Sequence, residues 1–123
     1  MREYEATIIR IIDGDTVEAE LDLGFGIKYK SKLRFMNYDA PETYRPSCLA
    51  EKLAGTKAKD WLSKRLYNYI KNYNSNILDT VTLRTYKDRK GKYGRILCRI
   101  WINGVDIIQE MIDLGMIKKD TWK

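Results

Sequence analysis

Acidic side chains cluster at two turns of the chain, and an arginine precedes the second turn. Residues 12–16 read Ile-Asp-Gly-Asp-Thr, and residues 37–43 read Asn-Tyr-Asp-Ala-Pro-Glu-Thr after a segment that carries Arg34. Carboxylates beside an arginine at strand ends suit a metal-assisted phosphoryl site, because carboxylates hold a cation and a guanidinium binds phosphate oxygens. The alternative for Asp13 and Gly14 is turn chemistry alone, since Asp and Gly are favoured in hairpin turns.

Proline at position 41 adds a backbone constraint to the second turn. A residue that precedes proline is pushed towards extended backbone angles. Ala40 therefore has a restricted conformation, and its carbonyl oxygen can be aimed at a cation as a neutral ligand.

The composition limits the chemistry that these residues can support. The chain of 123 residues contains no His, which excludes Ser-His-Asp and Cys-His catalysis and any zinc site that needs imidazole. A metal would have to rely on oxygen ligands, which suit calcium or magnesium. The net charge of +6 indicates a polyanionic partner, and nucleic acid is the commonest one. Cys48 and Cys98 do not indicate a disulfide framework.

Apolar periodicity predicts the elements that must position the two turns. Strands are expected over 4–12, over 16–22 and from Ile27 to Phe35, then near 79–87 and near 94–102. In the third strand Lys28, Lys30, Lys32 and Arg34 share one strongly cationic face. Apolar residues at steps of three and four predict a helix over roughly 48–72, with Ser47 as its N-cap.

A second helix is expected near the C-terminus. Asn103-Gly104 predicts a tight turn, Asp106 with Gln109 resembles a capping box, and Gly115 is placed to end the helix. Five strands interrupted by a helix after the third are typical of an OB-type barrel. The predicted fold is mainly β with helices (α+β), a five-stranded OB-fold barrel with two to three α-helices in a single domain over 1–123.

Three blocks of the sequence resemble the signature blocks of the staphylococcal nuclease (thermonuclease) family. They are Ile-Asp-Gly-Asp-Thr-Val (12–17), Leu-Arg-Phe-Met-Asn-Tyr-Asp-Ala-Pro-Glu-Thr (33–43) and Lys-Tyr-Gly-Arg (92–95), in the family's order and at similar spacing. The resemblance implies an OB-fold nuclease domain with one calcium ion. It also implies calcium-dependent hydrolysis of DNA and RNA phosphodiesters that leaves 3′-phosphate ends. A small barrel with a cationic groove tracks the backbone and does not read base edges, so we expect little sequence specificity and a preference for single strands.

The resemblance also implies roles for individual residues. Asp15 and Asp39 are the implied calcium carboxylates, the Ala40 carbonyl is the third ligand, and Asp13 reaches the ion through water. The implied catalytic residues are Arg34 and Arg95, which clamp the phosphate, and Glu42, which acts as general base or orients water. Lys92 and Tyr93 are the implied contacts to a neighbouring phosphate. The family's base-stacking tyrosines after the last helix are absent, and Trp122 offers a flat ring in that stretch.

Two other functions fit parts of the same pattern. One is a non-catalytic nucleic-acid-binding module on the same barrel, and the other is a basic domain that binds proteins. A pure binder gains nothing from Asp15, Asp39 and Glu42, because carboxylates in a phosphate groove repel the ligand unless a cation intervenes. We therefore expect an enzyme that acts as a monomer without a membrane partner. The N-terminus has no apolar signal core, which favours an intracellular or phage-encoded role.

Overall fold

The structure is a computed structural model that describes residues 1–43, 45–71, 81–87 and 96–119. Its strands are β1 (Arg2–Asp13), β2 (Thr16–Gly24), β3 (Ile27–Phe35), β4 (Val81–Lys87), β5 (Ile96–Ile102) and the two-residue β6 (Val105–Asp106). Two α-helices lie in these ranges, α1 (Leu49–Leu66) and α2 (Ile107–Asp113). The predicted order of three strands, a helix, two strands and a helix is confirmed, and β6 is an addition.

Strands β1 to β5 close into a barrel. The sheet order is β3-β2-β1-β4-β5-β6, and β3 also pairs with β5 in parallel over Leu33–Phe35 and Ile96–Cys98. Strand β1 makes closure possible because it pairs with β4 through Arg2–Ala6 and with β2 through Ala6–Asp13. Two register shifts in the β1–β2 ladder bend the strand, as bulges do in small barrels. The predicted five-stranded OB-type barrel is confirmed.

The barrel interior follows the period-two pattern of the strands. Val17, Ala19 and Leu21 of β2 are buried, and Leu33 and Phe35 of β3 join them in one core cluster. Helix α1 contributes side chains to the same cluster at helical spacing; they are Ala58, Leu62 and Leu66. Each residue between these positions on β2 and β3 therefore faces away from the core.

Both ends of α1 differ from the sequence prediction. The N-cap is Cys48 rather than Ser47, because the Ser47 amide and hydroxyl both donate to the Glu51 carboxylate instead. The helix ends at Leu66 and not near residue 72. A 3-10 turn over Tyr67–Tyr69 follows, and Ile70 then forms a β-bridge with Ile8.

Helix α2 begins and ends as predicted. The Asp106 carboxylate accepts hydrogen bonds from the amides of Ile108 and Gln109 at 3.0 and 3.2 Å. Gly115 has a φ of 76° and donates to Ile112, while Met116 donates to Met111, which is the Schellman pattern. The reciprocal half of the capping box does not form, because the Gln109 side chain donates to Asp113.

No helix within the described ranges is long and apolar enough to cross a membrane.

Candidate active site

The turn between β1 and β2 places Asp15 below the surface. Asp15 is only 5% exposed, and Gly14 beside it is buried. Gly14 does not have a left-handed φ, so its role is not turn conformation. A Cβ at Gly14 would lie 2.8 Å from the Cβ of Ala40 and would separate the two acidic turns. The glycine is therefore required for close approach of the turns, which the turn-chemistry alternative did not foresee.

Asp15 connects the two turns by hydrogen bonds. Its Oδ1 accepts from the Thr16 hydroxyl at 3.0 Å, and its Oδ2 accepts from the Ala40 amide at 3.1 Å. The backbone carbonyl of Asp15 accepts from the Phe35 amide at 2.8 Å. These bonds hold the end of β3 and the second acidic turn against the first.

Arg34 brings its guanidinium between the two acidic turns. It lies on β3 directly opposite Thr16, one residue from Asp15 in the ladder. Its Nη2 donates to Asp39 Oδ1 and lies 3.3 Å from Asp15 Oδ2. The Arg34 side chain is 29% exposed and that of Asp39 is 72% exposed, so the cluster opens to solvent on the Asp39 side.

The pKa values of Asp15 and Tyr38 are raised mainly by burial, and nearby carboxylates add to the shift. Burial raises the pKa of Asp15, although the charge of Arg34 and the Ala40 amide oppose the shift. Burial also raises the pKa of the Tyr38 phenol, and the charges of Asp15, Asp13 and Asp39 raise it further. Asp13 therefore acts on Asp15 and Tyr38 through its charge.

Helix α1 supports the second acidic turn from below. A Cβ at Gly55 would lie 2.7 Å from the Pro41 carbonyl oxygen and 3.0 Å from that of Glu42. The turn therefore rests directly on the helix backbone at Gly55. The sequence identified this glycine only as a weak helix former.

A buried carboxylate that the sequence analysis missed holds the chain around Glu42. Glu51 is fully buried and accepts hydrogen bonds from the Ser47 amide at 2.7 Å and the Ser47 hydroxyl at 2.9 Å. Bonds from the Ser47 backbone, its hydroxyl and the Glu42 amide lower the pKa of Glu51 against the opposing effect of burial. Lys118 Nζ lies 3.7 Å from Glu51 Oε2. The sequence signal for this contact was a serine, Ser47, just before a helix with a glutamate, Glu51, four residues later.

The segment after α2 also contacts the site. The Lys118 amide donates to the Asp39 carbonyl at 2.9 Å, and the Tyr38 hydroxyl donates to the Met116 carbonyl. Residues 116–118 therefore fix the backbone of the turn that carries Asp39.

The structure brings Asp15, Arg34, Asp39 and the Ala40 amide together by direct contacts. Asp13 acts on Asp15 through its charge, and Glu42 follows on the same turn, three residues after Asp39. The predicted Arg95, Lys92, Tyr93 and Trp122 lie outside the described residues.

Few of the described side chains at the candidate site could ligate a metal ion. Over the described ranges, no group of three or more Asp, Glu or Cys side chains is arranged to hold a metal ion. Two carboxylates, Asp15 and Asp39, do converge on one positive group, the Arg34 guanidinium. Convergent carboxylate oxygens fit a hard cation that completes its shell with backbone oxygen and water.

The site thus combines a closed five-stranded OB-type barrel with an acidic first turn, an arginine on β3 and a second acidic turn. Residues 32–121 match the family model described as Staphylococcal nuclease homologue, and the chain belongs to that family.

Curated relatives extend the similarity over nearly the whole chain. Over 118 residues the chain is 32% identical to "Endonuclease YhcR" of Bacillus subtilis (strain 168), covering 92% of this chain and 9% of that protein. It is 30% identical over 121 residues to a thermonuclease of Staphylococcus hyicus, covering 98% of this chain and 62% of that protein. It is 27% identical over 110 residues to a thermonuclease of Staphylococcus intermedius, covering 89% of this chain and 53% of that protein. The chain thus spans less than two thirds of each of these relatives.

Proposed function

We propose that the chain is a calcium-dependent nuclease that hydrolyses phosphodiester bonds of DNA and RNA. The observation that carries the proposal is the convergence of the buried Asp15 and the exposed Asp39 on the Arg34 guanidinium. Family membership and the names of the relatives support the same reaction class.

The burial of Asp15 favours catalysis over simple binding. Its raised pKa means that folding makes ionisation of this carboxyl less favourable. A module that only bound phosphates would gain nothing from such a group, since a carboxylate repels the ligand. The Arg34 guanidinium offsets the burial of this charge only in part, and a bound metal ion would offset it further.

Asp15, Asp39 and the Ala40 carbonyl are the groups that we propose to hold one calcium ion, with Asp13 reaching it through water. The bound ion would add positive charge beside the phosphate and polarise a nearby water. The geometry of this chain supports the choice of Asp15 and Asp39, because both are already positioned against one positive group.

The protein's own groups would supply the remaining chemistry. Arg34 presents a planar fork of N–H donors that can bind two phosphoryl oxygens as their negative charge rises. We assign the same role to Arg95 from the family resemblance, and phosphate contacts to Lys92 and Tyr93. Glu42 is half-buried on a turn fixed by Gly55 and Glu51, so its carboxylate can orient or deprotonate a water.

The proposed substrate is the sugar–phosphate backbone itself. A small barrel with cationic side chains binds backbone and does not read base edges, so little sequence specificity is expected. Single strands should be cut faster than duplex, and the resemblance implies 3′-phosphate products.

Glu42→Gln is the substitution that tests the proposal, because it separates an enzyme from a binding module. A general base contributes about 10²–10⁴-fold to rate, so hydrolysis of a single-stranded oligonucleotide in calcium should fall by at least about a hundredfold. Affinity should be kept, because removal of a negative charge does not weaken phosphate binding. Glu5→Gln is the matched control, since Glu5 is an exposed carboxylate towards the other end of β1.

Three outcomes would contradict parts of the proposal. Full activity of the wild-type protein in excess chelator would show that hydrolysis does not require a metal ion. Equal losses of rate and affinity in Glu42→Gln would assign Glu42 a structural role. Binding without hydrolysis in the wild-type protein would establish the non-catalytic module instead.

A further inference from the structure

The β2–β3 hairpin carries a row of cations on the face that points away from the core. Lys28, Lys30 and Lys32 alternate with residues of the inner face and share the outer face with Arg34. All three lysines are exposed. The row therefore leads along β3 from the candidate active site towards the hairpin tip.

The acidic residues opposite Lys30 and Lys32 form ion pairs with other cations. Glu18 pairs in register with Lys32, but its carboxylate bonds to Arg10 at 3.2 Å and its side chain is only 15% exposed. Glu20 pairs in register with Lys30, but Lys71 lies 3.5 Å from it and its side chain is 25% exposed.

The charge that this face presents to solvent is consequently positive. Among the described residues, neither Lys30 nor Lys32 has a carboxylate within ion-pair distance, whereas Lys28 lies 3.7 Å from Asp22. Arg10 and Lys71 lie beside the row and are paired with Glu18 and Glu20, so among the described residues the unpaired charge of this face comes from Lys30 and Lys32.

The hairpin tip presents an aromatic ring to solvent at the end of this row. Gly24, Phe25 and Gly26 have φ values of 85°, 55° and 75°, and Phe25 is fully exposed. A bulky residue in the left-handed region is uncommon and strained. The exposed Leu23 and Ile27 flank it. The chain therefore holds an aromatic ring outside the barrel in a conformation that its own packing does not require.

We propose that this outer face of the β2–β3 hairpin binds the backbone of the single-stranded nucleic acid beyond the bond held at Arg34, with Phe25 stacking on a base at the far end. The inference rests on the proposed function, because it extends the substrate path of the same site. We call this surface the β3 track and define it by Lys28, Lys30, Lys32 and Phe25.

The spacing of the β3 track suits an extended single strand. Alternate residues of a strand lie about 6.6–6.8 Å apart, which is close to the separation of neighbouring phosphates in an extended nucleic acid. The distance from Arg34 to Lys28 is about 20 Å by the same rise per residue. Strands 2 and 3 are also the face that OB folds use for oligonucleotides, and every base offers a surface on which a ring can stack.

A membrane surface is the alternative that shares the basic and aromatic chemistry. A strand of nucleic acid is favoured because the lysines are aligned with Arg34 on one β-strand. A membrane-binding patch has no need to lead into the candidate active site.

The test compares two double variants that lose the same charge. Lys30→Gln with Lys32→Gln removes two unpaired cations of the β3 track, and Lys52→Gln with Lys64→Gln removes two exposed lysines of α1. Binding to a longer oligodeoxythymidine is measured by fluorescence anisotropy over a range of salt concentrations. Each lost phosphate contact lowers the salt slope by about 0.7 for single strands, so the track variant should show a slope shallower by about 1.4.

Substrate length separates failure of the inference from failure of the proposed function. Hydrolysis of a dinucleotide with a single phosphodiester should be equal in both double variants and the wild-type protein, because it does not reach the track. Binding of the longer oligonucleotide tests the track even if no variant hydrolyses anything. Phe25→Ser should weaken that binding by about tenfold, as expected for loss of one stack.

Two results would overturn the inference. Equal loss of slope in the track and α1 variants would show that only net charge matters. If Phe25→Ser abolished binding to vesicles of anionic lipid while the oligonucleotide affinity stayed unchanged, the tip would belong to a membrane contact.

Discussion

Replacement of Gly55 by Ala tests whether helix α1 sets the position of the turn that carries Glu42. Ala is the better helix former by about 1 kcal/mol, so an isolated helix would gain stability. The structure predicts the opposite for activity. The added Cβ would lie 2.7 Å from the Pro41 carbonyl oxygen, about 0.7 Å short of the 3.4 Å of an ordinary contact. A backbone carbonyl cannot rotate away as a side chain can, so the turn must move.

The size of the effect follows from two opposing contributions. Overpacking at a tight contact costs roughly 1–3 kcal/mol, and the gain in helix propensity offsets about 1 kcal/mol of that cost. The free energy of unfolding should therefore fall by no more than about 2 kcal/mol, and the protein should stay folded. A displacement approaching 1 Å of a catalytic group can cost on the order of 10²-fold in rate. Activity should consequently fall much further than stability.

The assay pairs thermal unfolding with hydrolysis of a single-stranded oligonucleotide at saturating calcium. Thr56→Ala is the control, because it raises helix propensity at the next, exposed position of α1 and adds no atom against the turn. Gly55→Ala combined with Thr43→Ser should keep the defect, since the serine removes the Thr43 methyl but leaves the carbonyl contact. If Gly55→Ala were more stable than wild type and kept its rate within about twofold, the reasoning from this contact would be wrong.

Three further predictions concern the charged cluster. Asp15 has a raised pKa in the folded state, so its ionisation lowers stability as pH rises from its ordinary pKa through the raised one. In chelator, the unfolding temperature of the wild-type protein should therefore fall relative to that of Asp15→Asn over this pH range, and a difference that does not change with pH would contradict the assigned burial effect. Asp39→Ala should lose both hydrolysis and the rise in unfolding temperature that calcium gives the wild-type protein, and an undiminished rise would place the ion elsewhere. Arg34→Lys should lose nearly as much activity as Arg34→Ala, because a lysine has no planar fork, and retention of more than half the activity would show that positive charge is sufficient.

Local chemistry explains which elements the sequence could predict. Asp106 and Gly115 mark the two ends of α2, because a carboxylate cap and a left-handed glycine act on residues within one turn of themselves. The strands were predictable because burial alternates along them. In each case the signal can be recognised from residues that lie close together in sequence.

The end of α1 was predicted too late because apolar periodicity reports burial and not helical conformation. Tyr69 is buried and Ile70 packs against the core, so both continue the apolar pattern after the helix has ended. What ends the regular pattern is the bridge from Ile70 to Ile8 on β1, a contact between residues far apart in sequence.

The residues of the candidate site likewise separate into those that the sequence could predict and those that it could not. Asp15, Arg34 and Asp39 were predictable because acidic turns and an arginine at strand ends meet wherever those strands pair. Glu51 was missed because its partners include the Glu42 amide and Lys118, which only the folded chain brings together. Gly14 and Gly55 were identified as glycines of a turn and of a helix, but their role is to let backbone segments touch.

The contact between residues 116–118 and the Asp39 turn has a consequence for biosynthesis. Tyr38 is separated by 78 residues from Met116, whose carbonyl accepts its hydroxyl proton. At about 5–20 residues per second, translation needs roughly 4–16 s to cover that distance. During this interval the acidic turns have been synthesised, but the segment that fixes them has not. For a protein that cuts RNA, as we propose, the delay would keep each nascent chain harmless to the message from which it is being translated.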